Sequence, residues 1–395
     1  MVHIKLCLCR SLFDNILEAV GTAASVGVIK ERILSGDAPR ETISSWINSL
    51  AFIPKPDLDL MAATFQILRA RDNHPNILLS YSSLAHSFCR QQQTSSSASC
   101  DQYQPVQILT RLYEKFFNLT GCATKQRKNV DQVLMYLKGI GNFGMRTEEL
   151  HSALQTCIHS NDNAEVRVAA IEAYRRMPCS EQSGHPELRT LFENQQEDAE
   201  VRIAAFLAIM RCPTYPTIRW LKRIMGTEQV RQVTSFVSSY IRNLQETSLP
   251  SKLELQGLVA DEKFTDPFGT DFRQFSKNFE ASIYYPDGNI GIGLDNNLIF
   301  SQLSYIPRSS SLNLTVDLFG ESINVFEATV RLESFEHYVE SIFGPNGKLS
   351  GTGIHKMLSS LRREKRALPS KRKMRTLALE YDAMKRYNAD PIVIN

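Results

Sequence analysis

Eight cysteines and eight histidines are the residues of this chain best suited to chemistry, and their spacing decides between metal binding, catalysis and disulfide formation. The thiols, Cys7, Cys9, Cys89, Cys100, Cys122, Cys157, Cys179 and Cys212, all precede residue 213, and none stands in the C-x2-C pair of a structural zinc site. The histidines are scattered, and His151 and His159 have no carboxylate at ligand spacing beside them. G-x-S-x-G, H-E-x-x-H and P-loop motifs are missing. Gly288-Asn-Ile-Gly291-Ile-Gly293 lies between strand-like runs rather than ahead of a helix, so it reads as a twisted or bulged strand and not as a phosphate cradle. No catalytic residue, metal or cofactor is assigned, and a non-enzymatic binding protein is the expected class.

The cysteines leave two readings open, reduced thiols in a core or disulfides formed in an oxidising compartment. Cys89 and Cys100 flank a ten-residue polar stretch, Arg90 to Ser99, with no core to shelter a thiol, so a loop-closing disulfide is the better local explanation. Two glycosylation sequons, Asn118-Leu-Thr120 and Asn313-Leu-Thr315, favour the same compartment. Met1 to Arg10 has no small-residue cleavage site and makes a poor signal peptide.

The net charge of +3 is a sum of unlike parts: residues 361–375 carry eight Lys or Arg and one Glu, so everything else nets −4. Nucleic-acid binding by a basic globular body is thereby disfavoured. The run Arg362-Arg-Glu-Lys-Arg366, extended by Lys371-Arg-Lys373 and Arg375, reads locally as a solvated helix face, a nuclear-localisation signal or a polyanion patch. No apolar stretch approaches the roughly 18 to 20 residues of a membrane span.

The elements that must position these residues change character along the chain. Up to about residue 260 the period is helical. Ile43, Trp46, Ile47 and Leu50 share one helix face, after Asp37 as N-cap and Pro39 in the first turn. Further helices are expected over Leu58 to Arg71, Val106 to Phe117 and Val130 to Ile140, the last ended by Gly139, Gly141, Asn142 and Gly144. Residues 161–179 and 196–214 superimpose at an offset of 35 and share Ala-Glu-Val-Arg-x-Ala-Ala, which resembles HEAT-type repeats and predicts an α-solenoid of stacked helix pairs. Beyond Asp266-Pro-Phe-Gly269 the period becomes two. Strands are expected over Phe279 to Tyr285, Ile290 to Phe300 and from Leu312, with Leu312, Leu314, Val316 and Leu318 on one face and Asn313, Thr315 and Asp317 on the other. A shift of parity between Val325 and Phe326 predicts a bulge. The fold class is mainly α with β, a helical solenoid followed by an amphipathic antiparallel sheet. The plain expectation for its apolar face is a core sealed against the solenoid.

Several motifs appear in one order: Ala19-Val-Gly-Thr-Ala23 with Gly36-Asp-Ala38, Leu137-Lys-Gly-Ile-Gly-Asn142, the Val-Arg-x-Ala-Ala pair, and Asp271-Phe-Arg-Gln-Phe-Ser-Lys-Asn278. Asn297-Leu-Ile-Phe300, Tyr305-Ile-Pro307 and Leu312-Asn-Leu-Thr-Val-Asp-Leu-Phe-Gly320 follow. From about residue 15 to 345 the chain thereby resembles the large lipid transfer protein family of vitellogenin, apolipoprotein B, insect apolipophorin and the large subunit of microsomal triglyceride transfer protein. Within it the chain looks most like apolipophorin or apolipoprotein B. Family members begin with a signal peptide and a β-barrel module and run far longer, so this chain is expected to be an internal fragment.

The resemblance implies three parts: residues 1–260, a helical solenoid; 261–345, a lipid-facing amphipathic sheet; and 346–395, a basic segment. It implies phospholipid and acylglycerol as cargo with no other cofactor, secretion through the endoplasmic reticulum, and the rest of its own precursor, a lipoprotein receptor or a transfer protein as partners. Leu312, Leu314, Val316 and Leu318 become a lipid wall, with Asn313 turned outward where a glycan is tolerated. Family disulfides imply Cys89 with Cys100 and Cys122 with Cys157, the latter pair one repeat apart, and Cys179 with Cys212 as a third pair. Apolipophorin precursors are cut after a comparable basic motif, which implies convertase cleavage after Arg363-Glu-Lys365-Arg366. The competing reading is a HEAT-repeat protein-binding scaffold without lipid.

Overall fold

A computed structural model describes residues 12–70, 75–95, 100–122, 127–160, 163–179, 185–260, 275–300 and 307–332. Among them are fourteen α-helices: α1 (residues 12–20), α2 (Ala23–Ser35), α3 (Arg40–Ser49), α4 (Leu58–Ala70), α5 (Pro75–Ser95), α6 (Gln104–Thr120), α7 (Arg127–Phe143), α8 (Glu148–Ser160), α9 (Ala164–Glu172), α10 (Pro186–Glu193), α11 (Ala199–Ile209), α12 (Tyr215–Met225), α13 (Arg231–Glu246) and α14 (Leu253–Val259). Four strands follow, β1 (Lys277–Tyr285), β2 (Ile290–Phe300), β3 (Pro307–Leu318) and β4 (Glu321–Arg331). No described helix is long and apolar enough to cross a membrane.

The described residues form two compact units. One comprises those up to Phe192 with Ala204–Cys212; the other comprises Glu193–Ile203 with those from Pro213 on. The change of period near residue 260 therefore separates types of secondary structure, not compact units. Helices α12 to α14 group with the sheet, which α13 and the turn after it hold, as described below.

In the first unit, α2 packs on α4, α5 on α7, and α7 and α8 on α9. Each helix buries an apolar stripe, such as Ile43, Trp46 and Ile47 of α3, which no helix could bury alone. Thr22 and Ser25 form a reciprocal capping box at the start of α2. At α3 the expected cap shifts: the helix starts after Pro39, whose carbonyl accepts the Ile43 N–H at 3.0 Å, while Asp37 accepts from the Ser35 hydroxyl at 3.0 Å. Pro39 has φ already near the helical value and no N–H to lose, so the turn closes there.

A second difference concerns α7, which runs through Gly139 and Gly141 and stops at Gly144, where φ is +70°. A Cβ at Gly139 would overlap the Tyr113 hydroxyl, and one at Gly141 the Arg175 guanidinium. The two glycines are sites of close approach rather than terminators. Arg175 uses that space to reach the Lys138 carbonyl at 2.7 Å and Asn142 Oδ1 at 2.6 Å. Three disulfides join Cys89 to Cys100, Cys122 to Cys157 and Cys179 to Cys212, with Cα separations of 5.4, 5.2 and 5.6 Å. Cys7 and Cys9 lie outside the described residues.

His86 of α5 gives this unit an acid-sensitive contact. Burial, with the Arg176 and Arg90 cations, pushes its pKa down to about 4, and one ring nitrogen, Nδ1, lies 3.0 Å from the Phe143 carbonyl. The unfolded chain takes up this proton near pH 6.5 and the folded one only near 4, so the contribution to stability falls as pH drops through that window. We expect a loss of up to about 3 kcal/mol from this group. Urea unfolding of the parent and of His86→Gln at pH 7 and 4.5 checks it, because the difference between them should shrink at the lower pH.

Candidate functional site

Alternation along four antiparallel strands in the order β1-β2-β3-β4 sorts their side chains into two faces. Across the sheet, Ile283 pairs with Ile292, Val316 and Ile323, and Ala281 with Leu294, Leu314 and Phe326. Tyr285, Ile290 and Leu318 form the next row. The shift of register opposite Leu314 and Thr315 leaves Val325 as the extra residue of a bulge, which restores Phe326 to the apolar face. Leu312, Leu314, Val316 and Leu318 therefore belong to a surface that extends over all four strands.

That surface is not sealed. Ile283 is 77% exposed and Ile292 50%, and Phe279, Leu294 and Val330 are exposed as well. The face that meets the helices is the polar one, which reverses the expected sealed core. From α13 and the turn after it, Asn243 Nδ2 donates to Asn278 at 2.8 Å, and Asn278 Nδ2 donates to Asn297 Oδ1 at 2.8 Å. The Thr247 hydroxyl donates to Glu280 at 2.7 Å, and Ser251 donates to Asp317 at 3.2 Å. Lys252 lies between two carboxylates, 2.8 Å from Glu280 Oε2 and 3.1 Å from Asp295 Oδ2. Burial opposes the lysine charge, but Asp295 and Glu280 outweigh it and hold its pKa above the ordinary value. Burial, reinforced by Glu280, pushes the Asp295 carboxyl up against the opposing pull of Lys252.

Gly291 and Gly293 complete this contact. A Cβ at Gly293 would stand 2.6 Å from Leu249 Cδ1, so the glycines seat Leu249 on the strand. Pairing is unshifted through both, so of the twisted or bulged strand expected here the strand is present and the bulge is not.

The second anchor uses the later copy of the repeat. Glu200, at the start of α11 and 3% exposed, accepts two bonds of 2.6 Å from the Arg331 guanidinium and one of 2.8 Å from the Ser309 hydroxyl. Arg308 Nε stands 3.3 Å from the same carboxylate, and its Nη1 donates to Asp198 at 2.6 Å. Two residues on, Arg202 is fully buried against Glu228. Its counterpart in the first copy, Arg167, instead donates to the Ile158 carbonyl at 2.6 Å. Sequence reasoning matched the two copies and missed this divergence; the polar alternation opposite the leucines, running from Asp317 back to Ser309 with Arg331 across from it, was the available signal.

Of the other expected site residues, Asn118 is exposed near the end of α6. Asn313 is half-buried on the docked face, opposite Asp295 and Glu327, which corrects the outward placement expected for a glycan. Arg363, Lys365 and Arg366 lie outside the described residues. Among the described residues no cluster of His, Cys, Asp and Glu could hold a metal ion.

Fold and site together define a class: a helical-repeat protein with an amphipathic sheet docked by its polar face and open on its apolar one. The sequence matches the vitellogenin TPR domain over residues 3–242 and the vitellinogen open β-sheet over 274–390. The chain belongs to the vitellogenin family, as its motifs indicated. The repeat offset of 35 is close to the 34 residues of a TPR unit. It is 30% identical over 360 residues to the apolipophorins of Locusta migratoria, covering 91% of this chain and 10% of that one. It is 31% identical over 228 residues to human apolipoprotein B-100, covering 55% of this chain and 5% of that one. The chain thus spans a small part of the relatives it matches. A solved structure described as lipid–protein interactions in lipovitellin shares the fold, with a TM-score of 0.67 and 17% identity over 85% of this chain and 35% of that one.

Proposed function

We propose that this chain is a lipid-carrying part of a secreted lipoprotein apoprotein, binding phospholipid and acylglycerol without catalysis on the apolar face of β1 to β4. The observation that carries this reading is the orientation of the sheet. Its polar face takes the helices, and an exposed face as apolar as Ile283, Ile292, Leu294 and Phe279 is stable only against something equally apolar. The names of the relatives, apolipophorins and apolipoprotein B-100, support it. Three disulfides support the oxidising route of secretion. The rest of the precursor and a lipoprotein receptor or transfer protein are the proposed partners, with Asn118 as a glycan site and cleavage after Arg366.

The test is composition. The chain purified from a secreting cell should carry phospholipid and acylglycerol, and the double variant Ile283→Asp, Ile292→Asp should lose most of both while keeping its circular dichroism. Two carboxylates side by side on the face cannot be desolvated by acyl chains. Lipid-free parent protein with reduced cysteines would point instead to the protein-binding scaffold.

A further inference from the structure

One end of the sheet carries side chains that the fold does not use. The β3–β4 turn is Phe319-Gly320, with φ of +53° and +92°. Two-residue turns of this kind favour Asn-Gly, because a bulky side chain at positive φ is strained. Phe319 stands there nonetheless and is 76% exposed, so no packing among the described residues offsets the strain. Its N–H donates to the Asn289 carbonyl at 2.9 Å, which fixes the tip beside the β1–β2 turn. That turn presents Tyr285, 59% exposed, and Ile290, next to Leu318. The Tyr284 hydroxyl donates to Asn289 Oδ1 at 2.9 Å. Phe319, Tyr285, Ile290 and Leu318 thus make an aromatic and apolar edge continuous with the open face. Residues 284–291 and 317–322 contain no Lys or Arg and three acids, Asp287, Asp317 and Glu321.

Aromatic rings with an apolar body and a polar hydroxyl suit the boundary between phospholipid headgroups and acyl chains. The lack of cations, with Asp287 beside the turn, disfavours an anionic lipid surface. We infer that the paired hairpin tips insert into a zwitterionic phospholipid surface and are where the sheet takes lipid up. This rests on the reading of the open face as lipid-binding.

The experiment mixes the lipid-free full chain with phosphatidylcholine vesicles holding a fluorescent phosphatidylcholine, and reads the initial transfer rate and the final load. Phe319→Asn, which suits positive φ, should melt at a Tm no lower than the parent, load about tenfold more slowly through loss of one inserted aromatic, and reach the same final load. Phe319→Trp should keep the rate and gain a blue-shifted emission when vesicles are added. An unchanged rate for Phe319→Asn, or no added shift for Phe319→Trp, would overturn the inference and leave the reading of the face standing. Loading faster from phosphatidylserine than from phosphatidylcholine vesicles, by a margin that Phe319→Asn abolishes, would overturn the zwitterionic assignment. A parent that takes up no lipid would overturn both readings.

Discussion

Glu200→Gln is expected to destabilise the unit that holds the sheet by about 3 kcal/mol, as when one partner of a buried ion pair is lost. The carboxylate is 3% exposed and holds Arg331, Arg308 and Ser309 at once. An amide of the same shape cannot neutralise two guanidiniums, and their side chains are 13% and 14% exposed, so they recover little hydration. That residual exposure puts the effect at the low end of the range. Trp220, in the same unit, reports the transition when Trp46 of the other unit is replaced by Phe in both proteins. An unchanged urea midpoint would mean that Asp198 and the α13 contacts hold the sheet unaided.

Arg202→Met should cost more, about 5 kcal/mol, because Arg202 and Glu228 are both fully buried. Removing the cation leaves a buried carboxylate that keeps the bond from the Val230 N–H at 2.8 Å but has lost its counter-charge. Replacing both, Arg202→Met with Glu228→Leu, should recover most of the loss, since a well-packed apolar pair is often as stable as a buried ion pair. The double-mutant cycle decides the matter. If the double variant is as unstable as the single one, the damage lies in packing around the methionine and not in the stranded charge.

Much of the architecture was readable in the residues because periodicity is a local property. The offset of 35 and the alternation from Leu312 need only a short window, and each predicts its own element. The bulge was readable for the same reason, since Val325 breaks parity within its strand. What could not be read is which face of the sheet meets the helices. Alternation says that two faces differ, and it is silent on the partner of each. That choice is made by Glu200 and Arg331, 131 residues apart, and by Leu249 settling on Gly291 and Gly293. Gly139 and Gly141 misled in the same way, because a glycine that admits Tyr113 or Arg175 looks in sequence like one that ends a helix. That one face is apolar followed from the alternation; that it stands open did not, and the tip at Phe319 needed a dihedral angle.

The docking of the sheet through Lys252, Glu280, Asp295, Asn278 and Glu200 makes its two sides answer to different solvents. A joint made only of apolar contacts would be open to competition from acyl chains and nonionic detergents, which offer the same greasy contacts. They cannot solvate a carboxylate or a guanidinium, so the joint between strands and helices is inert towards them. Acid and salt act on that joint instead, by protonating its carboxylates and screening its charges. On the proposed function, lipid could enter and leave the open face without loosening the joint, and washing with a mild nonionic detergent should leave the sheet still fastened to its helices.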